Sequence, residues 1–123
     1  MMNILIVDDS ATMRKIILRT IRQSGYAVDD VLEAGNGKEA LEVVKNNKVD
    51  LILTDINMPE MDGLELIEVL RASPETQNMP ILVISTEGAE DIIEKAKILG
   101  VKGFVRKPFT PEKIGEALKQ AAG

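Results

Sequence analysis

Short apolar runs at residues 4–7, 51–53, 81–84 and 104–105, together with a short mixed strand at 31–34, are interleaved with segments whose apolar residues recur at helical spacing. No other feature of the chain restricts its fold as much. Near-continuous apolar runs mark strands covered on both faces, and their alternation with amphipathic helices marks βα units around a parallel sheet. The expectation is an α/β fold: a doubly wound, five-stranded parallel sheet of (βα)₅ type. With 123 residues, 45% of them hydrophobic, the chain can bury one core, so residues 1–123 are read as a single domain.

The intervening segments carry helix signals. Met13, Ile16, Ile17 and Ile21 form a stripe that Gly25 closes. Asn36, with Glu39 three residues on, has the form of a capping box ahead of a stripe of Ala40, Leu41 and Val44. After a third strand over 51–55, the segment Met58-Pro59-Glu60-Met61-Asp62-Gly63 is a loop, because its proline and glycine break the strand. Leu64, Ile67 and Leu70 carry the next helix, which ends at Ser73-Pro74. Ala89, Ile92, Ile93 and Ala96 precede Gly100, and a fifth strand follows over 103–107. Thr110-Pro111 is a cap with the favoured first-turn proline, ahead of Ile114, Ala117, Leu118 and Ala121.

Four of the runs end on groups able to handle phosphate or metal: Asp8-Asp9, Thr54-Asp55, Ser85 and Arg106-Lys107. In a parallel sheet these ends lie along one edge, where ligands of open α/β sheets bind. Alone, an aspartate pair after a strand is most often a turn or a helix cap, and a single Ser or Lys there is usually solvated. The case rests on four strand ends agreeing.

Cysteine and histidine are both absent, which excludes disulfides, structural zinc and any imidazole-based catalysis on this chain. A metal would be held by oxygen, which points to Mg²⁺, with Mn²⁺ as the alternative. A net charge of −5 without a basic, aromatic-laced stripe argues against nucleic acid. There is no membrane-length apolar run of about 18 residues and no secretion leader, so the expected location is cytoplasmic, without membrane insertion.

A carboxylate such as Asp55 attacks a phosphoryl group only if the incoming negative charge is neutralised nearby. Asp8 and Asp9 alone would oppose this, and a divalent cation shared among the carboxylates resolves the conflict. In a strand order of 2-1-3-4-5, Asp55 stands on the central strand, with the acidic pair on one neighbour and Ser85 on the other, roughly 4.8 Å away on each side. The fifth strand is two spacings off, about 10 Å, so a group there must be long, and Lys107 is.

The segments Ile4-Leu5-Ile6-Val7-Asp8-Asp9-Ser10, Leu53-Thr54-Asp55-Ile56-Asn57-Met58-Pro59-Glu60-Met61-Asp62-Gly63, Ile84-Ser85 and Val105-Arg106-Lys107-Pro108-Phe109 resemble the signature segments of response-regulator receiver domains, and the likeness covers the whole chain. The 2-1-3-4-5, flavodoxin-like order is that of the chemotaxis members of this family and is carried over with the resemblance. The resemblance implies phosphorylation of Asp55 and Mg²⁺ held by the Asp9 and Asp55 side chains and the Asn57 carbonyl, with Asp8 acting through water. It implies that Ser85 and Lys107 contact the phosphoryl oxygens, with a cis Lys107-Pro108 bond. It also implies a switch in which the Ser85 hydroxyl moves toward the phosphoryl group and Phe104 turns inward. Flagellar chemotaxis members usually carry tyrosine where Phe104 stands.

The function so implied is that of a two-component response regulator, of the single-domain chemotaxis type. A sensor histidine kinase donates the phosphoryl group, and the chain assists its own phosphorylation and dephosphorylation without being an enzyme. A surface on the fourth helix, fifth strand and fifth helix then binds a downstream protein such as a flagellar motor switch component, and a phosphatase is a further expected partner. No output domain is expected after Ala121-Ala122-Gly123. Asn57 and Glu87, polar and flanking the site, are expected to leave it open to water and so set a short phosphoryl lifetime. Onward transfer in a phosphorelay is the alternative. A metal-dependent phosphohydrolase with an aspartyl-phosphate intermediate is disfavoured, because Asn57 stands where haloacid-type enzymes need a second aspartate.

Overall fold

The structure is a computed structural model that describes residues 2–86 and 88–122. Its elements alternate strictly along the chain: β1 (Ile4–Val7), α1 (Ala11–Gln23), β2 (Val31–Ala34), α2 (Gly37–Asn46), β3 (Leu51–Thr54), α3 (Gly63–Ala72), β4 (Ile81–Ser85), α4 (Glu90–Ile98), β5 (Gly103–Arg106) and α5 (Pro111–Ala122). All pairings are parallel and the order is β2-β1-β3-β4-β5, as expected. Asp55 and Lys107 fall one residue beyond their strands, which places both in the loops above the sheet edge.

The sheet divides the core in two. Leu5, Val7, Ile52, Ile81 and Val83 pack toward α2, α3 and α4 through Ala40, Leu66, Ile67, Leu70 and Ala96. Ile4, Ile6, Leu51, Leu53, Leu82 and Ile84 pack the other way, against Ile17 and Ile21 of α1 and Ile114, Leu118 and Ala121 of α5. Alternate residues of each strand thus serve opposite faces. Fully burying a Leu or Ile contributes roughly 1.5–3 kcal/mol, so this two-sided burial holds the strand ends firmly in register.

The helix termini explain the local folding, with some departures from expectation. Ser10 caps α1 by accepting from the Met13 N–H at 3.1 Å, and Gly25 and Gly100 close α1 and α4 with a left-handed φ of 78° at each. Asn36 accepts from the Glu39 N–H at 2.9 Å, but the Glu39 carboxylate accepts from Gly35, so the reciprocal box expected there does not form. The complete capping box is at Asp62 and Glu65, which start α3. Ile16, expected in the buried stripe of α1, is 40% exposed, because Ile17, Thr20 and Ile21 supply the buried face. Ala89 is the exposed N-cap of α4 and not part of its stripe.

Arg71, in the last turn of α3, joins three segments. Its guanidinium donates to the carbonyls of Leu99 (2.7 Å), Gly100 (3.3 Å), Gln77 (3.1 Å) and Met79 (2.8 Å). The C-terminal end of α4 is thereby tied to α3 and to the approach of β4. Burial lowers the Arg71 pKa from its ordinary value. No helix among the described residues is long and apolar enough to cross a membrane.

Candidate phosphoacceptor and metal site

Val7 and Thr54 are register partners at the ends of β1 and β3, so the next residues, Asp8 and Asp55, emerge side by side. Backbone hydrogen bonds continue past the strands to hold them, from Asp8 N–H to Ala34 O (3.1 Å) and from Asp55 N–H to Val7 O (2.9 Å). One carboxylate oxygen from each of Asp8, Asp9 and Asp55 lies within 4.8 Å of the others. Burial is graded across the three: Asp8 is 2% exposed, Asp55 half-buried and Asp9 exposed.

Lys107, which is joined to Pro108 by a cis peptide bond, reaches this group from the far edge of the sheet. Its Nζ donates to Asp8 Oδ2 at 2.9 Å and to Asp55 Oδ2 at 3.3 Å. The long side chain therefore spans the gap that strand spacing demanded, and it reaches beyond Asp55 to Asp8. Burial opposes the ammonium, but the Asp8 hydrogen bond and the charges of Asp55 and Asp8 outweigh it, and the Lys107 pKa lies above its ordinary value of 10.5.

The other carboxylate oxygens are engaged by the backbone. Asp8 Oδ1 accepts from the Ser10 N–H at 2.9 Å, and Asp55 Oδ1 from the Ile56 N–H at 2.7 Å. Ser85, at the end of β4, is fully buried, and its carbonyl accepts from the Lys107 N–H at 3.0 Å. Asn57 is exposed two residues past Asp55. Phe104, on β5, pairs with Val83 of β4 and packs, half-buried, on the side of α2, α3 and α4. Glu87 lies outside the described residues.

Thr54, Gly63 and Arg14 also shape the site; the sequence marks Thr54 as a polar strand end and Gly63 as a strand breaker, and does not mark Arg14. Thr54 is 1% exposed and its hydroxyl donates to the Asp55 carbonyl at 2.9 Å. Gly63 packs so closely that a Cβ there would stand 2.1 Å from the Asp55 carbonyl oxygen, while its N–H donates to Ile56 O at 2.8 Å. Arg14, on α1, donates from Nη1 to the Asp8 carbonyl at 2.6 Å and from Nε to Glu33 at 2.8 Å. The Met58–Gly63 loop, expected as a break after the strand and as part of the receiver-domain signature, thus lies through Gly63 directly on the main chain of Asp55. Its Pro-Gly punctuation hid the cap at Asp62, and nothing in periodicity marks Arg14.

Three clustered carboxylates suit a hard divalent cation, since each offers an anionic oxygen and the chain has neither cysteine nor histidine to offer in their place. Asp9, the exposed member, presents its carboxylate to solvent, while Asp8 is already committed to Ser10 and Lys107. The end of the central strand thus presents a carboxylate, Asp55, close to the acidic pair and to a lysine from across a doubly wound sheet, with the buried Ser85 ending the neighbouring strand.

Comparison with known proteins agrees. The sequence model of the response regulator receiver domain matches residues 4–119, and the chain belongs to that family. A chemotaxis protein CheY homolog of Campylobacter jejuni is 45% identical over 123 residues, covering 99% of this chain and 93% of the relative. Chemotaxis protein CheY1 of Helicobacter pylori is 43% identical, covering 99% and 98%. The chemotaxis response regulator CheY4 of Vibrio cholerae superposes with a TM-score of 0.85 at 33% identity, covering 98% of each chain. The protein is accordingly a signalling phosphoacceptor, a response regulator of two-component systems.

Proposed function

We propose that residues 1–123 form a single receiver domain that acts in the cytoplasm as a chemotaxis switch, phosphorylated on Asp55 by a sensor histidine kinase. The observation that carries this reading is the Lys107 ammonium lying between Asp8 and Asp55 at the edge where Asp9 also converges. In the transfer, an Asp55 carboxylate oxygen forms a bond to phosphorus as the phosphorus–nitrogen bond to the donor imidazole breaks. The imidazole leaves with its electron pair and takes up a proton.

Asp55 Oδ2 is the oxygen facing Lys107, while Oδ1 is held by the Ile56 N–H, so the attacking carboxylate is oriented before the donor arrives. Lys107 then serves as counter-charge to the new phosphoryl group, and the Ser85 hydroxyl is the second protein group assigned to its oxygens. Asp8, Asp9, Asp55 and the Asn57 carbonyl would hold Mg²⁺, or Mn²⁺ in its place, which when bound neutralises charge developing on the phosphoryl oxygens. Phe104, in register with Val83 on the strand next to the one that Ser85 ends, is the aromatic of the switch, and Asn57 with Glu87 tunes how fast water removes the phosphoryl group. The phosphorylated face on α4, β5 and α5 binds a downstream protein such as a flagellar motor switch component, with a phosphatase resetting the signal. The chemotaxis relatives support this output over a phosphorelay or a phosphohydrolase.

The test is acetyl phosphate with Mg²⁺, read by intact mass. One phosphoryl group should add to the wild type and none to Asp55→Asn, whose amide is a poor nucleophile. Equal labelling of the mutant would refute the assignment.

A further inference from the structure

We propose that Arg14 is a positioning residue for the metal site, fixing the direction of the Asp9 carboxylate through the Asp8 main chain. This rests on the reading of Asp8, Asp9 and Asp55 as a cation site. Asp9 is exposed and follows directly on Asp8, so its carboxylate points where the peptide joining the two residues sends it. That peptide carries the Asp8 carbonyl, which Arg14 Nη1 holds at 2.6 Å.

The guanidinium is itself anchored. Its Nε donates to Glu33 Oε1 at 2.8 Å, and Glu33 pairs in register with Ile6 on β1. The Arg14 side chain is 19% exposed and that of Glu33 45%. The planar fork thus braces the start of the acidic loop against β2, two acceptors on two elements being met by one rigid group. The remaining ties of this loop, Asp8 N–H to Ala34 and Ser10 N–H to Asp8 Oδ1, fix Asp8 from the other side. Among these contacts, Arg14 is the one made to the peptide oxygen adjoining Asp9.

Charge and positioning predict opposite signs. Arg14 is a cation close to a site for a cation, so on Coulomb grounds alone its removal tightens Mg²⁺ binding. If its work is to orient Asp9, removal weakens binding. A group that orients a metal ligand without touching the metal typically costs about 10–100-fold in affinity when lost.

The experiment is Mg²⁺ titration of the wild type, Arg14→Gln, Arg14→Lys and Glu33→Gln by calorimetry, with metal-free melts in EDTA and the Mg²⁺ concentration that half-saturates labelling by acetyl phosphate. Arg14→Gln should weaken Mg²⁺ by about tenfold, the low end for such groups, and move the half-saturation by the same factor. Arg14→Lys keeps the charge but not the fork, and should remain weakened. Glu33→Gln, a substitution on an exposed side chain that keeps an acceptor for Nε, should stay near wild type. Unchanged or tighter Mg²⁺ binding in Arg14→Gln, or full recovery in Arg14→Lys, overturns the proposal, as does a lower melting temperature with unaltered affinity. Should Arg14→Gln not fold, the result rests on Arg14→Lys, whose wild-type affinity would overturn the proposal and whose weakened affinity would support it. If the wild type itself binds no Mg²⁺, the cation-site reading fails first and this inference with it.

Discussion

Replacing Lys107 with methionine keeps an unbranched stem and deletes the charge between Asp8 and Asp55. In the metal-free protein this leaves a carboxylate that is 2% exposed without its ammonium. Removing one partner of a fully buried ion pair costs about 3–5 kcal/mol. Here the Lys107 and Asp55 side chains are each 12% exposed, and Ser10 and Ile56 keep their backbone bonds to the carboxylates. The expected loss is therefore smaller, about 2–3 kcal/mol, which for a chain of this size lowers the melting temperature by roughly 8–12 °C. Metal binding should move the other way, because the ammonium and the cation compete for the same oxygens. Two unit charges ~4 Å apart interact by about 1 kcal/mol in water and about 4 kcal/mol at an effective dielectric constant of ~20. Taking a value toward the low end of that range, since the site opens to solvent at Asp9, the relief is about 1.4 kcal/mol, a tenfold tighter Mg²⁺ dissociation constant. Calorimetric melts in EDTA and isothermal titration with Mg²⁺ measure both. A destabilised variant that binds Mg²⁺ more weakly would show that the ammonium organises the carboxylates and does not compete for them. No change in either quantity would mean that the bridge does not form in solution.

Because the Lys107 pKa is raised on folding, the stability it contributes is fully present below about pH 10.5 and is lost as pH rises through the folded value. The stability gap between wild type and Lys107→Met should therefore be flat near neutrality and close in alkaline urea titrations; a gap already closing at pH 8 would contradict the shift. Gly63→Ala would put a Cβ 2.1 Å from the Asp55 carbonyl oxygen, a clash with backbone that no rotamer relieves, and should cost about 3 kcal/mol by urea unfolding while slowing phosphorylation. Near-wild-type values in both would show that the loop yields freely. Asp9→Ala should raise the melting temperature in EDTA by removing one of three like charges and should abolish the gain with Mg²⁺, which for the wild type at tenfold excess over the dissociation constant is about 1.4 kcal/mol. A mutant that still responds to Mg²⁺ as the wild type does would reduce Asp9 to a turn residue.

The sheet and its edge were legible because apolar runs such as Leu51 to Leu53 have only one stable use in a chain that alternates with helices, and because strand spacing alone demands a long side chain at the fifth strand. What local pattern cannot carry is the contact between Lys107 and Asp8, 99 residues apart. The sequence suggested a lysine for a phosphate; the fold adds that it already neutralises two carboxylates. The same spacing of a capping residue and a glutamate stands at Asn36 and at Asp62, and only the second closes a reciprocal box, because Glu39 turns to Gly35 instead. Gly63 reads locally as a strand breaker, whereas its smallness matters for the Asp55 main chain, a distance no spacing rule contains. Helical spacing groups Ile16 with Ile17 and Ile21, and only the packing leaves it at the exposed margin of the stripe.

The fork of Arg71 has a mechanical consequence for α4. Its C-terminal end is clamped through the Leu99 and Gly100 carbonyls, and its opposite end, which starts at Ala89, lies on the side of Ser85. A rigid helix held at one end can turn only about that end, here Leu99. Displacement of its first turn beside the phosphoacceptor is rotation about that point, largest near the site and vanishing at the rear corner of the molecule, where Gln77 and Met79 share the same clamp.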